Sequence, residues 1–339
     1  MKKLIVLCLL ALSALGLSGG AMAAGTVLYV SVSPCEDGSD MPADAVAWYT
    51  RSGETDLLLP GGTDWNELRV WYSDPEATME IGGVSYAHGD RLRGVSEGDV
   101  LQVRSGSKRL QVTLRRGSAI GALFISTASG SMKKIDRSIA YKEEGALKLL
   151  DGDGTVLYDG TLDYIKLRGN TSTGLPKKNY GFKLSRGTDL FGMGKARRWV
   201  LLGSYRDKTL LRNQIVYSLA DYVGLPYTPQ VVQTDVYFNH EYNGTYLLAE
   251  RIEVQKNRVN ITDLEEANES VNDEPLSSYP LVRKNSGKKG GWKAYDLPCD
   301  PEDITGGYIL EFDNQSSRYG SEKCAFLTKR GKTLLLKDP

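Results

Sequence analysis

Histidine is almost missing from this chain of 339 residues: His88 and His240 are the only two. A His-rich metal centre is therefore out of reach. An excess of charge is missing as well, since 42 Lys+Arg stand against 42 Asp+Glu. That balance excludes the basic footprint on which nucleic-acid binding relies. Cysteine is scarce, four in all with no C-x-x-C, so zinc-ribbon and redox-motif chemistry has no foothold. Several catalytic signatures are incomplete too. Gly192-Met193-Gly194-Lys195 and Gly331-Lys332-Thr333 both lack the upstream glycine of a phosphate-binding loop, and no G-x-S-x-G occurs. His240-Glu241 lacks the second histidine of H-E-x-x-H, and a Ser-His-Asp triad would have to use one of the two histidines. What remains is of globular composition, 41% hydrophobic with 37 Gly, at a length that suggests two domains.

The N-terminus carries Lys2 and Lys3, an apolar run from Leu4 to Leu17, and then Ala21-Met22-Ala23. This is the layout of a secretory signal peptide over residues 1–24, with cleavage after Ala23 or Ala24. The apolar run is shorter than the roughly 20 residues needed to span a bilayer, and no later run is longer. The chain is thus expected to be exported, with no membrane span after cleavage. Cys8 would leave with the signal, which keeps Cys35, Cys299 and Cys324. Cys299 and Cys324 flank one segment and are the candidate disulfide; three unpaired thiols are the alternative.

Residues 25–118 read as short strands broken by turns. Thr26–Val30, Glu67–Tyr72, Val100–Val103 and Leu110–Leu114 are β-rich or alternating, and Pro60-Gly61-Gly62 and Gly82-Gly83 punctuate them. A small β-sandwich-like accessory domain follows from that spacing. A second region, 119–339, opens with strands and then carries one helix. Asp207 is the expected N-cap, Leu211, Ile215, Leu219 and Tyr222 recur on one face, and Gly224-Leu225-Pro226 ends it. A hairpin turning at Asn243-Gly244 comes next, which makes the class α+β. Residues 263–303 are acidic at the front and basic behind with few apolar positions, and they read as a long mobile insertion.

The densest polar stretch is Lys166-Leu167-Arg168-Gly169-Asn170-Thr171-Ser172, followed by Pro176-Lys177-Lys178-Asn179-Tyr180-Gly181-Phe182-Lys183-Leu184. Strand alternation sends Tyr180, Phe182 and Leu184 to the core and Lys183 to the other face; Lys166 and Arg168 likewise share a face. If the two strands pair, three cations converge beside donors from Asn170, Thr171 and Ser172. Such a cluster suits phosphate oxygens, although a solvated hairpin face would have the same spacing. Trp199 reads as core. Glu250 and Glu311 each follow an apolar strand, where a carboxylate can pair with a lysine, hold a metal or simply end the strand.

These residues resemble the spore-coat protein H (CotH) kinase-like family. The likeness runs in order through Arg168-Gly169-Asn170-Thr171-Ser172, Pro176-Lys177-Lys178 with Tyr180 and Lys183, and Trp199-Val200-Leu201-Leu202 with Tyr205 and Asp207. It continues through Leu211-Arg212-Asn213, Leu225-Pro226-Tyr227, Gly244–Glu250 and Gly306–Glu311. It covers about residues 120–339. The resemblance implies the N-lobe-like part of a divergent, atypical protein-kinase-like fold. It also implies transfer of phosphate from ATP, with Mg²⁺ or Mn²⁺, to Ser or Thr of secreted, envelope or spore-coat proteins. On that analogy Lys183 contacts the nucleotide phosphates with Arg168 and Asn170 assisting. The helix after Asp207 stands where a kinase has its regulatory helix, but Lys208–Val223 contains no Glu, so Glu250 becomes the pairing acid. The family's metal-binding and catalytic acids lie in a C-terminal half that this sequence does not reach before Pro339. The expectation is a truncated chain, inactive as it stands. A non-catalytic envelope or spore-coat scaffold is the rival, and a carbohydrate-binding β module built on Trp48, Trp65 and Trp71 is a third reading.

Overall fold

The computed structural model describes residues 21–22, 26–32, 40–51, 53–105, 107–271, 274–285, 292–295, 302–303, 305, 307–311, 325–330 and 333–336. All four cysteines lie outside them, as does the stretch of residues 1–24 read as a signal peptide, apart from Ala21–Met22. The chain forms two compact units, residues 1–250 and 251–339.

In the first unit, β1 (Ala21–Met22), β2 (Thr26–Ser31), β3 (Val46–Ala47), β4 (Tyr49–Arg51) and β5 (Glu54–Leu59) lead to β6 (Arg69–Tyr72). Then come β7 (Thr78–Ile81), β8 (Val84–Ala87), β9 (Val100–Ser105) and β10 (Lys108–Arg116). They make a 4-stranded sheet, β1-β2-β3 with β6 against β2, and a 6-stranded sheet ordered β4-β5-β10-β9-β7-β8. Trp48, Leu57, Leu59, Val70, Tyr72, Val112 and Leu114 fill their common core.

The next strands are β11 (Gly121–Thr127), β12 (Lys142–Leu150), β13 (Val156–Arg168), β14 (Asn179–Asp189) and β15 (Lys195–Leu202). After them come α1 (Arg212–Tyr222), β16 (Val231–Phe238) and β17 (Glu241–Glu250). The strands close into a barrel ordered β11-β12-β13-β14-β15-β17-β16. Alternation does the work: Leu123, Ile125, Leu147, Leu149, Ile165, Leu167, Tyr180, Phe182, Trp199, Leu201, Val236 and Leu248 pack the core of the barrel. Closure removes every sheet edge and turns the other side of each strand outward. The chain is thus a β-rich α+β protein.

The boundary read at residue 118 falls inside the first unit, and packing explains why. Phe124 and Tyr237, on β11 and β16, belong to the core of the preceding sheets, their rings stacked at 4.6 Å. The Tyr237 hydroxyl donates to the Leu58 carbonyl at 3.1 Å. Asp44 and Lys148 form an ion pair of 3.3 Å with side-chain exposures of 0% and 10%. A Cβ on Gly62 would sit 2.2 Å from the amide nitrogen of Gly154, so only glycine lets those two turns touch.

In the second unit, the stretch read as a long mobile insertion contains α2 (Leu264–Val271), β18 (Leu281–Asn285) and β19 (Trp292–Tyr295). The acids taken for loop composition start the helix. Asp263 accepts the Glu266 N–H at 3.0 Å, and Glu265 and Glu266 lie in the first turn, where the helix dipole favours them. A small sheet of β20 (Leu310–Glu311), β21 (Ala325–Leu327) and β22 (Thr333–Leu336) follows.

Candidate functional site

β13 and β14 pair antiparallel with Tyr164 opposite Lys183, Ile165 opposite Phe182, Lys166 opposite Gly181 and Arg168 opposite Asn179. Ile165, Leu167, Tyr180, Phe182 and Leu184 are buried in the barrel. Lys166, Arg168 and Lys183 therefore share the outer face, as alternation requires. On β15, Arg198 is the Cα partner of Lys183. Two ammonium groups flank Tyr164, with the Lys142 and Lys166 Nζ atoms 4.9 Å and 6.0 Å from its ring centroid.

The three cations share a face but do not converge on one point. Lys183 and Arg168 are separated by four positions of register, about 13 Å along the strands. Lys183 turns instead to Asp163, Nζ to Oδ2 at 3.1 Å, and the Arg197 guanidinium reaches the same oxygen at 2.8 Å. The pairing slips between Leu162 and Tyr164, and this bulge makes room for Asp163 as the extra residue. Alternation counted from the sequence takes no account of a bulge, so this carboxylate was missed.

The polar loop after β13 is held by bonds to its own carbonyls and to Asn179. Gly169 has φ +107, and a Cβ there would lie 2.2 Å from Ser172 Oγ. The Asn170 carbonyl accepts the Thr173 N–H at 3.2 Å and its hydroxyl at 2.7 Å. Asn179 donates to Ser172 Oγ at 3.2 Å and accepts the Gly203 N–H at 2.8 Å. Lys178 donates to the carbonyls of Thr173 and Leu175 at 2.7 Å and 3.2 Å. The result is a closed loop that borders Arg168 and is fastened to β14 and to the end of β15.

Glu250 is the Cα partner of Trp199, which is itself opposite Phe182, so it belongs to an inward-facing row. Its Oε2 accepts the Gln230 N–H at 2.9 Å. Lys183 belongs to the neighbouring outward row, and the register does not bring Glu250 to it. Trp199 is core, as read. Asp207 accepts the N–H groups of Thr209 (3.0 Å) and Arg212 (2.9 Å), and α1 begins at Arg212, later than the expected start. The Thr209 hydroxyl first, then these N–H groups, hold the Asp207 carboxyl below its ordinary value.

Two buried clusters escaped the sequence reading. Asp235 accepts the Tyr242 hydroxyl at 3.0 Å and the Thr245 hydroxyl at 2.8 Å through Oδ1. Burial pushes its carboxyl up, and the two hydroxyls and Lys177 only partly oppose that. Burial likewise lowers the Lys177 ammonium, which donates to the Thr245 carbonyl and lies 4.5 Å from the Tyr246 ring centroid. Nearby, Asp136 accepts the Tyr180 hydroxyl at 2.8 Å, and burial raises its carboxyl. Nothing in a Pro-Lys-Lys run marks one lysine for burial.

Both histidines have structural tasks. His88 accepts the Tyr72 N–H at 3.1 Å, and His240 Nδ1 lies 2.8 Å from the Ala45 carbonyl oxygen. Trp48 and Trp71 are buried, which leaves the carbohydrate reading with the partly buried Trp65 alone of its three aromatics. Among the described residues no group of three or more His, Cys, Asp or Glu side chains could hold a metal ion.

Residues 165–296 match the family model described as CotH kinase protein. The match begins on β13 and takes in the cationic strands, the closed loop, α1 and the β16–β17 hairpin. That segment is thus similar to the CotH family, in agreement with the resemblance seen in its motifs. No match was found among curated proteins.

Proposed function

We propose that this chain is an exported CotH-type protein whose barrel is the N-lobe-like, nucleotide-side part of an atypical protein kinase. The reaction is transfer of the ATP γ-phosphoryl group to Ser or Thr of secreted, envelope or spore-coat proteins. One observation carries the reading: Lys166, Arg168 and Lys183 stand on one outer face beside the closed loop of residues 169–178, within the family match. Ammonium and guanidinium groups are the side chains that suit phosphate oxygens. Lys183 and Arg168 would grip separate phosphates, with Asn170 at the loop and Glu250 behind the sheet.

The described residues fit the phosphates and do not fit the metal. Among the described residues no acidic cluster is present for Mg²⁺ or Mn²⁺. Export rests on the N-terminal layout; no helix among the described residues is long and apolar enough to cross a membrane.

A second reading, a non-catalytic envelope or spore-coat scaffold, draws on a specific observation. Asp163 holds Lys183, and Lys178 and the Thr173 hydroxyl donate to carbonyls of the loop itself. Titration with a fluorescent ATP analogue separates the two. Saturable binding that weakens about tenfold in Lys183→Ala and in Arg168→Ala supports the nucleotide site. No binding by the parent chain, or equal binding by all three proteins, leaves the scaffold.

A further inference from the structure

Helix α1 carries its apolar stripe on the outside. Ile215, Val216, Leu219, Tyr222 and Val223 are 60%, 63%, 56%, 88% and 60% exposed, and Leu211 and Leu225 extend the strip at 45% and 57%. Gln214, Tyr217 and Ala220, on the other side, are only half-exposed. Together the seven exposed side chains present roughly 800 Å², more than the largest patch usual on a monomer and about one partner's share of a standard interface.

The spacing of the stripe says what covers it. Positions 215, 216, 219, 222 and 223 are symmetric about 219. Two copies of α1 crossing antiparallel at Leu219 would set Ile215 against Val223, Val216 against Tyr222, and Leu219 against itself. A self-complementary patch of this kind is what a two-fold, isologous contact requires. Charge agrees with the same pairing. Arg212 lies in the angular sector of the stripe, one turn before Ile215, and would meet the other copy's C-terminal turn. That turn has no basic residue of its own to complement the negative end of the helix dipole. A lipid surface is a poorer occupant, because a membrane-lying helix is rich in Lys and Arg on its polar face and α1 has Arg212 alone.

We infer that α1 is a homodimerisation helix, its occupant a second copy of this chain docked antiparallel about Leu219. The inference does not depend on nucleotide binding. Sedimentation equilibrium of the full chain tests it, alongside Leu219→Glu, Tyr222→Ser and, from the face away from the stripe, Asp221→Ser. The expected result is a dimer that Leu219→Glu weakens at least about 30-fold and Tyr222→Ser weakens less, with Asp221→Ser unchanged. Because all three positions are exposed, each variant should keep the parent's far-ultraviolet circular dichroism, which reports that it has folded, while the thermal midpoint of Leu219→Glu should fall with the loss of the dimer. A parent chain monomeric up to about 0.1 mM, or a Leu219→Glu chain that dimerises as tightly as the parent, would overturn the inference.

Discussion

Lys183 on β14 and Asp163 in the bulge of β13 form an ion pair, Nζ to Oδ2 at 3.1 Å, with Arg197 on the same oxygen at 2.8 Å. One carboxylate thus serves two cations on a face that also holds Lys166 and Arg198. The arrangement restrains Lys183 where alternation alone would leave it pointing to water.

Asp163→Asn should release Lys183 and Arg197 together. Both pairs are partly exposed, so the loss of stability should stay within about 1 kcal/mol in urea unfolding. If Lys183 meets a phosphate, the same variant should bind the ATP analogue more tightly, since the competing carboxylate is gone. Weaker binding would assign Asp163 a positioning task for the lysine.

Lys148→Ala leaves Asp44 buried without its cation. Removing one partner of such a pair costs about 3–5 kcal/mol. The Asp44–Lys148 contact joins the N-terminal sheets to the barrel, so both should lose stability in one transition. Separate transitions for the two parts, followed by Trp71 and Trp199 fluorescence, would show that they fold independently.

The pH response has two opposed contributions. Burial lowers His240 below its ordinary value, so the fold favours the neutral ring. The associated stability is complete above about pH 6.5 and falls as pH drops through the interval down to the lowered value. Asp235 is raised by burial, so its contribution is present at low pH and is lost as pH rises through the raised value. Thermal midpoints between about pH 7.5 and 5 should therefore fall, and His240→Gln should flatten that slope.

Burial separates two apolar residues that look alike in the sequence. Trp199→Ala empties the barrel core and should cost about 3–5 kcal/mol. Ile215→Ser, on the exposed stripe, should change the unfolding free energy of the isolated protomer by less than about 0.5 kcal/mol. Denaturant titration at low protein concentration checks both.

Gly169→Ala should destabilise the closed loop by more than about 1 kcal/mol, because its positive φ and the nearby Ser172 hydroxyl both exclude a Cβ. Adding Ser172→Ala should relieve the clash while leaving the backbone strain. A single variant as stable as the parent would mean that the loop rearranges freely.

Periodicity alone settled much of this protein. The inward sets of β13 and β14, the core position of Trp199 and the existence of α1 all follow from residue types and spacing, because each depends on neighbours a few positions away; the hairpin of β16 and β17 was expected too, but it turns at Asn239-His240, both at positive φ, and Asn243-Gly244 lies within β17. The family likeness was legible for the same reason, its motifs being short and in order. Three matters were decided only in three dimensions. A bulge set Asp163 under Lys183, and the register kept that lysine four positions from Arg168, since strand pairing depends on hydrogen bonds that residue types do not specify. The N-terminal sheets shared a core with the barrel through Phe124 and Tyr237, whose outward direction has meaning only once the barrel has closed. The apolar stripe of α1 was plain in the sequence, yet what covers it depends on long-range packing, and among the described residues it is exposed.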